Sequence, residues 1–346
     1  MQKSTCGVLL RGTLHIQNHT LKLRNMSSVP PFLQVLSTSV NVINKAGDTV
    51  RDILKEGQLD IVEKTSKDDL QTKADRLAND LLCGSIKVAF PKANVIGEEG
   101  EVDVTKIDSN LLVKGQDQSV IDKFSANLPE HVKLANFEDL TIWIDPLDGT
   151  KEFTEGFLDH VTILVGIAIG KKAIGGVIHQ PFWNYQGKTK ELGRTFYGIV
   201  GAGIGGDLNP VPAPENERIV TSSRSHSTGL VNEVIQSCNP TKVVQVGGAG
   251  HKVILLMEGQ AHCYVFCSPG CKKWDTCAPE AILHAMGGKL TDIKGNFYEY
   301  HKEVGHVDEW GILATGQEKD HEGYLKLIPE ECKAQVKDYF KNKAKN

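Results

Sequence analysis

Residues 145–150, with the sequence DPLDGT, place two carboxylates directly after the strand predicted over residues 141–144. The proline and glycine of this segment force a sharp turn, so that Asp145 and Asp148 can face one point, where the carbonyl oxygen of Leu147 can join them. Clustered carboxylates repel each other unless they are neutralised, and a hard divalent cation with oxygen ligands does this. An ordinary Asp-Gly turn with solvated charges explains the segment equally well.

Two more acidic groups occur where predicted elements begin or end. Glu98 and Glu99 follow the strand predicted over Asn94–Gly97, and Asp275 comes just before the helix predicted over residues 276–286. Asp275 alone would be interpreted as the N-cap of that helix. Three acidic strand or helix ends beside glycine turns favour a multi-metal phosphate site, because magnesium keeps coordination positions open for phosphate and can activate water.

Two polar segments could supply hydrogen-bond donors for an anion. Residues 221–227 are dense in hydroxyl and cationic side chains at a predicted strand-to-helix junction, and residues 247–252 form a glycine turn that opens a helix. The free N–H groups at a helix N-terminus attract anions. Each segment could serve ordinary capping, but together they indicate a site for a second anionic group or a sugar.

Two other patterns carry less weight. Residues 201–206 match the GxGxxG pattern of dinucleotide sites, but residues 207–210 do not begin the helix that such a site needs. Four cysteines are spaced more widely than the pairs of zinc sites. We expect them to be buried thiols without metal, at Cys263, Cys267, Cys271 and Cys277.

Composition bounds the class of protein. The chain has 346 residues, of which 40% are hydrophobic and 24% charged, as in a soluble globular protein of about two domains. A net charge of −4 argues against a general nucleic-acid binder, which needs a basic face. No apolar run is long enough to cross a membrane, and eight cysteines are too sparse for a disulfide framework. We expect a monomeric cytoplasmic chain with a small-molecule ligand and no nucleic-acid or membrane partner.

The N-terminal segment, residues 1–25, contains four basic residues and no acidic one. This composition is typical of a mitochondrial transit peptide. An unstructured extension ahead of an alternative start at Met26 is the other interpretation. Mitochondrial localisation through this segment is therefore the alternative to the cytoplasm.

Hydrophobic periodicity predicts two helices in the first part of the chain. The first covers residues 36–54 and is closed by Gly57, and the second runs from about residue 68 to 90, capped by Asp68 or Asp69. Residues 100–138 are polar and aperiodic. They predict an exposed insertion with one helix around residues 118–128.

The following strands predict where the sheets lie. The strand over residues 141–144 should stop at Pro146, because proline cannot continue a ladder, and residues 161–169 and 173–179 form a predicted hairpin. Residues 201–214 form a Gly/Pro loop, which separates an N-terminal α+β domain (26–214) from a C-terminal α/β domain (215–346). Strands alternate with helices after this loop, which predicts a mostly parallel sheet.

The acidic motifs together resemble a known family. Gly97-Glu98-Glu99, the DPLDGT segment and Trp274-Asp275 are similar, in order and spacing, to the signatures of inositol monophosphatase-like phosphatases, which are magnesium-dependent, lithium-sensitive phosphomonoesterases. The resemblance extends from about residue 34 to 316. Several segments resemble the branch that acts on nucleotide bisphosphates: residues 62–65, 69–76, 151–153, 224–227, 247–250 and 268–273.

The resemblance implies the fold and the metal ligands. The expected fold is α/β (α+β), a layered α/β/α/β/α sandwich with two sheets, as in inositol monophosphatases and fructose-1,6-bisphosphatases. Two or three Mg²⁺ ions are expected, and Li⁺ is an expected inhibitor. Glu99 would reach an outer metal through water. The implied ligands are Glu98, Asp145, the Leu147 carbonyl, Asp148 and Asp275.

The resemblance also implies a mechanism and a substrate. Thr150, hydrogen-bonded to Asp75, would help take the proton of a water that attacks phosphorus in line. The expected reaction converts adenosine 3'(2'),5'-bisphosphate to AMP and phosphate, with its sulfated relative and inositol 1,4-bisphosphate as further substrates. The implied substrate contacts are Asp148, Gly149, Thr150, Ser223, His226, Gly248 and Lys252.

Two rival functions remain open at this stage. An inositol monophosphate phosphatase would use the same fold and metals on a different substrate. A catalytically silent nucleotide or metal sensor is the rival from a different class, although every implied ligand and base position carries the residue that the chemistry needs.

Overall fold

Two large β-sheets, a small two-stranded sheet and the packed helices make up most of the described part of the chain. The structure is a computed structural model that describes residues 29–64, 69–187, 191–225 and 229–343. The N-terminal segment 1–25 lies outside these ranges, as does His226. Among the described residues, no helix combines the length and the apolar character needed to span a bilayer.

The first part of the chain builds a six-stranded sheet with two long helices on one face. Strand β3 pairs in parallel with β4, and the remaining pairs are antiparallel, in the order β3-β4-β5-β6-β7-β8. The elements are α1 (Pro31–Glu56), β1 (Val62–Glu63), β2 (Leu70–Gln71), α2 (Lys73–Ala89), β3 (Asn94–Gly97), α3 (Gln118–Phe124), α4 (Glu130–Leu134), β4 (Leu140–Asp148), α5 (Thr150–Glu155), β5 (Thr162–Ile169), β6 (Lys172–Gln180), β7 (Arg194–Ile199) and β8 (Gly203–Gly206).

The second part builds a five-stranded sheet in the order β10-β9-β11-β13-β12. Two of its strand pairs are parallel and two antiparallel, so the prediction of a mostly parallel sheet was wrong. Strands β12 and β13 are joined without a crossover helix, and β13 therefore runs back antiparallel to β12. The elements are β9 (Ile219–Ser223), α6 (Gly229–Ser237), β10 (Lys242–Val246), α7 (Ala249–Met257), β11 (Cys263–Phe266), α8 (Lys273–Ala285), β12 (Lys289–Thr291), β13 (Ile312–Thr315), α9 (Glu318–Leu327) and α10 (Glu330–Lys343).

The helices and sheets alternate in five layers, which confirms the predicted sandwich. Helices α1 and α2 pack together, with α1 on β5 and β6 and α2 on β3 and β4. Helices α7 and α8 lie between the sheets: α8 contacts β4–β7 and β12, and α7 contacts β5, β9 and β11. On β11, Tyr264 faces α7, while Cys263 faces α6 and α9 on the opposite side.

The proposed division at residues 26–214 and 215–346 stays a prediction. Each range contains one large sheet, and the first also contains the antiparallel β1–β2 pair. Trp143 and Leu164 of the six-stranded sheet, however, share a hydrophobic core with residues of the five-stranded sheet. The burial of the four predicted cysteines is confirmed, and their thiols are free.

Three local predictions were wrong. Helix α2 begins at Lys73, because Thr72 caps it: the Thr72 amide donates to Asp75 Oδ2 at 2.7 Å, and Thr72 Oγ1 accepts from Ala74 N at 3.1 Å. Strand β4 continues through Pro146, because its pairing with β5 shifts register between Asp145 and Asp148 and Pro146 lies in this interruption, where it pairs with no residue of β5. The loop predicted over residues 201–214 contains the edge strand β8.

The segment 100–138 is more than an exposed insertion. It forms the two helices α3 and α4, and both contact α1. Six of its apolar side chains are buried: Val120, Ile121, Phe124, Leu128, Val132 and Ala135.

Helix α8 approaches the first sheet very closely at two glycines. A Cβ atom at Gly166 would lie 2.6 Å from the Cβ of Cys277, and one at Gly176 would lie 2.7 Å from the Cα of Ala278. Neither distance leaves room for a methyl group, because the opposing atoms belong to or adjoin the helix backbone. These glycines set the depth at which α8 sits between the sheets.

We predict that Gly176→Ala lowers the free energy of unfolding by about 1–3 kcal/mol, because the added methyl group has no space. Urea unfolding of the purified variant measures the change. Gly323→Ala is the matched control, since Gly323 lies in α9 with nothing near its Cβ position. It should be neutral or stabilising by up to about 1 kcal/mol. Equal stability of the Gly176→Ala variant and the native chain would contradict the close approach.

A buried histidine lies where α1 crosses β6. His179 is 4% exposed, its Nδ1 is 2.7 Å from Thr195 Oγ1, and a Cβ at Gly47 of α1 would lie only 2.1 Å from its Nε2. Burial lowers the pKa of His179 to about 3, with the charge of Arg51 adding to the effect. The imidazole is therefore neutral in the folded protein at every physiological pH.

Acid should destabilise the fold through His179. The unfolded chain takes up this proton near pH 6.5 and the folded chain only near pH 3, so stability present above pH 6.5 is lost as the pH falls. We expect a loss of about 2 kcal/mol from this residue between pH 6.5 and 5. Urea titrations across this range should show a smaller pH slope for His179→Asn, which keeps a polar atom near Thr195. An unchanged slope would refute the assignment.

Candidate active site

Two parallel strands and one helix bring acidic side chains to the same edge of the first sheet. Strands β3 and β4 run in parallel and end side by side, where the Glu98 amide donates to the Ile144 carbonyl at 3.0 Å. Glu98 therefore lies next to Asp145. Asp275 joins them from the first turn of α8, which begins at Lys273 and not after Asp275 as predicted.

The carboxylates are close enough to hydrogen-bond to one another. Asp145 is 2% exposed and shares hydrogen bonds with Glu98 and with Asp275. Burial raises the pKa of Asp145 well above its ordinary value, and the charges of Glu98, Asp275 and Asp148 raise it further. Burial likewise raises the pKa of Asp275 to about 7, against the opposing effect of Lys272. Like charges at this separation disfavour full ionisation of the group, which a proton or a bound cation would relieve.

Lysines compensate part of this charge. Lys64 Nζ lies 3.0 Å from Glu98 Oε1 and 2.6 Å from Glu99 Oε1. Burial by itself lowers the pKa of Lys64, but the attraction of these two carboxylates outweighs it and the pKa rises. Gln71 also donates to Glu99.

The donor set fits a hard divalent cation. In the described residues, no group of three or more Asp, Glu, His or Cys side chains is arranged with the geometry of a formed metal site. The fit rests instead on chemistry: the acids that lie together offer only oxygen ligands, and their raised pKa values mark a deficit of positive charge.

Asp148 is held by the N-terminus of α7. Its Oδ1 accepts from Ala249 N at 2.8 Å, and its Oδ2 accepts from Gly250 N at 2.8 Å and Thr162 Oγ1 at 2.6 Å. The positive end of the helix dipole stabilises the ionised form. Burial nevertheless raises the pKa of Asp148, so this carboxylate also lacks full compensation.

Asp75 and Thr150 form the predicted hydrogen-bonded pair. Thr150 Oγ1 lies 2.9 Å from Asp75 Oδ1 and 3.0 Å from the Leu147 carbonyl oxygen. The carbonyl of Leu147 therefore faces the Thr150 hydroxyl. Asp75 is fully buried, and burial raises its pKa to about 6, although hydrogen bonds from Thr72 and Thr150 oppose the shift.

Three of the predicted substrate contacts, Ser223, Gly248 and Lys252, lie at the end of β9 and in or just before α7, whose start contacts Asp148. Ser223 pairs with Val246 at the end of β9, and the glycine turn that leads into α7 follows directly. Gly248 has φ of 67° and Gly149 has φ of 87°, a left-handed backbone that glycine adopts without strain. His226 lies outside the described residues.

Lys252 points inward. It is 4% exposed, and its Nζ donates to the Gly248 carbonyl at 2.8 Å and lies 5.4 Å from the centre of the Tyr264 ring. Burial lowers its pKa, while Asp148 opposes this shift. The predicted contact between Lys252 and a second phosphate stays a prediction.

Sequence reasoning missed an aromatic and cationic surface beside the glycine turn. The Arg224 guanidinium lies 4.3 Å from the centre of the Phe157 ring, and its Nη2 is 3.0 Å from Glu152 Oε1. The His160 ring is stacked 5.9 Å from Phe157, and its Nδ1 accepts from Gly247 N at 3.2 Å. No motif or spacing connects these residues; the only signal was the cation in the polar segment 221–227.

The fold and the site define a layered α/β protein whose two sheets and central helix bring buried carboxylates together. A sequence model of the inositol monophosphatase family matches residues 33–332. The chain belongs to this family. It is 48% identical over 309 residues to human "3'(2'),5'-bisphosphate nucleotidase 1", a match that covers 89% of this chain and 98% of the human protein.

Solved structures share the fold. The suhB extragenic suppressor protein of Bartonella henselae superimposes with a TM-score of 0.62 at 18% identity, covering 85% of this chain and 98% of that one. An inositol monophosphatase/NADP phosphatase complexed with Mg²⁺ and phosphate gives a TM-score of 0.58 at 15% identity, covering 81% and 89%.

We predict that Asp145→Asn separates metal binding from folding. The amide can donate to Glu98 and Asp275, so the metal-free variant should unfold at the same temperature as the native chain or higher. The thermal shift produced by added Mg²⁺ should disappear, because a ligand carboxylate is gone. Asp122→Asn, at an exposed position of α3, should leave both properties unchanged. A normal Mg²⁺ shift in the Asp145→Asn variant would contradict the metal assignment.

Proposed function

We propose that this protein removes the 3'-phosphate, or the 2'-phosphate, of adenosine 3'(2'),5'-bisphosphate to give AMP and phosphate. The observation that carries the proposal is the 48% identity to a protein named as a bisphosphate nucleotidase, over 98% of that protein's length. The sulfated relative of this nucleotide and inositol 1,4-bisphosphate are proposed further substrates.

The proposed metal ligands are the oxygens that meet at the end of β4. Bound magnesium, two or three ions per site, would neutralise the carboxylates, bind the phosphate oxygens and lower the pKa of a water. Glu99 would bind an outer ion through water, although it is now paired with Lys64. The proposed ligands are Glu98, Asp145, the Leu147 carbonyl, Asp148 and Asp275.

The chain's own proton path runs through Thr150 and Asp75. Thr150 Oγ1 would accept the proton of the attacking water while its own proton passes to Asp75 Oδ1, 2.9 Å away. The hydroxide would attack phosphorus opposite the 3'-oxygen, whose bond to phosphorus breaks. The 3'-oxygen leaves as part of AMP and takes up a proton from a solvent water. Because water is the nucleophile, no bond forms between the phosphorus and the protein.

The nucleotide is proposed to lie against the second sheet. Asp148, Gly149 and Thr150 border the scissile phosphate, while Ser223, His226, Gly248 and Lys252 would contact the remainder of the nucleotide. The exposed ring of Phe157 and the guanidinium of Arg224 offer flat faces on which a base can stack, which an inositol ring does not use. This surface supports a nucleotide over an inositol phosphate.

The cellular setting is part of the same proposal. We propose that the protein works as a monomer in the cytoplasm, since its buried thiols are free. Import into mitochondria through residues 1–25 is the alternative.

Phosphate release tests the proposal. We expect fast release from adenosine 3',5'-bisphosphate that requires Mg²⁺ and is inhibited by Li⁺, with little release from inositol 1-phosphate. Asp148→Asn should lower turnover about 100-fold or more, because several kcal/mol of charge stabilisation is lost. Release from the inositol ester alone would keep the metal chemistry and overturn the nucleotide assignment. No release from either substrate would favour a nucleotide sensor.

A further inference from the structure

A fully buried aspartate lies behind the first turn of α8, outside the carboxylate group. Asp308 belongs to the connection between β12 and β13 and is 0% exposed. Its Oδ1 is 2.5 Å from Lys273 Nζ, and its Oδ2 accepts from Thr276 Oγ1 at 2.8 Å. Burial raises the pKa of Asp308 to about 6, and the Lys273 charge opposes the shift.

The backbone around Asp308 is tied to the same turn. The Asp308 amide donates to the Cys271 carbonyl at 2.9 Å, and the Lys273 amide donates to the His306 carbonyl at 2.8 Å. A bridge also pairs Lys272 with Val307. This connection therefore binds the chain both before Asp275, at residues 271–273, and after it, at Thr276.

Asp275 lies in the part of α8 that is least held by the helix itself. Its own helix supplies one hydrogen bond to its carboxylate, from Lys272 N at 2.7 Å. The first turn of a helix is the part most ready to fray, since its N–H groups lack partners within the helix. Without a restraint, fraying would move Asp275 away from the other carboxylates.

We propose that Asp308 is a positioning residue that holds Asp275 at the metal site by clamping both sides of it through Lys273 and Thr276. The inference rests on the proposed function, which makes Asp275 a metal ligand. Asp308 does not touch the substrate. It keeps the Asp275 carboxylate in position before a metal ion binds, a role that hydrogen-bond partners outside the ligand set have at metal sites.

A purely structural role makes a different prediction. Tyr298 lies in the same connection, and its hydroxyl donates to the Gly311 carbonyl, which is not part of α8. Its ring, 4.1 Å from Lys273 Nζ, is kept by a phenylalanine. Tyr298→Phe is therefore a matched control that weakens the buried connection but leaves the clamp in place.

The test is Mn²⁺ binding to the metal-free protein, followed by the electron paramagnetic resonance signal of free Mn²⁺, together with the thermal unfolding temperature. Asp308→Asn should raise the dissociation constant for Mn²⁺ about 10- to 100-fold. Thr276→Val should raise it as well, whereas Thr276→Ser keeps the hydroxyl and should bind like the native chain. Tyr298→Phe should lower the unfolding temperature with less than about a twofold change in Mn²⁺ affinity.

Each outcome decides the proposal. Native Mn²⁺ affinity in folded Asp308→Asn overturns it, as does an equal loss of affinity in Tyr298→Phe. If Asp308→Asn does not fold, Thr276→Val against Thr276→Ser decides in its place: equal affinities of that pair refute the clamp. Failure of the native chain to release phosphate while it still binds Mn²⁺ would refute the proposed reaction and leave the clamp standing.

Discussion

Electrostatic repulsion between buried carboxylates is the constraint on which this molecule depends. Asp145, Asp148, Glu98 and Asp275 lie close together, the first two buried and the last two half-buried, and loss of contact with water raises the pKa of each. Such a group lowers the stability of the folded chain unless protons, lysines or metal ions compensate it. The sandwich tolerates it because three independent elements hold the acids: the paired ends of β3 and β4, the N-terminus of α7 and the first turn of α8.

Close packing turns this constraint into a defined geometry. Glycines at positions 166 and 176 let α8 lie almost on the backbone of β5 and β6, so the start of the helix reaches the end of β4. Hydrogen bonds between residues far apart in sequence, such as the one from Thr150 to Asp75, then link the elements that meet at the site. Packing sets the depth of each element, and hydrogen bonds set the direction of each carboxylate.

The two sheets divide the proposed work. The first sheet and α2 supply most oxygen ligands and the Thr150–Asp75 pair, while the second sheet supplies the glycine turn and the polar end of β9. Asp148 links the two, because it belongs to β4 yet accepts hydrogen bonds from the start of α7. The proposed phosphate chemistry and the proposed substrate contacts thus meet at the Asp148 carboxylate. Two domains without a shared interface would not bring them together.

The sequence by itself determined most of the elements and the acidic character of the proposed site. Periodicity located α1, the β5–β6 hairpin and the alternating second half, because local patterns reflect which face is buried. Clustered acids beside glycine turns predicted the oxygen ligands, since residue type fixes donor chemistry. Only the tertiary structure decided how β4 passes Pro146, that β13 runs antiparallel, that Lys252 points inward, and that Lys64, Asp308 and the Arg224–Phe157 surface adjoin the site. These contacts join residues distant in sequence, and no local spacing encodes which of many possible partners the packed core brings together.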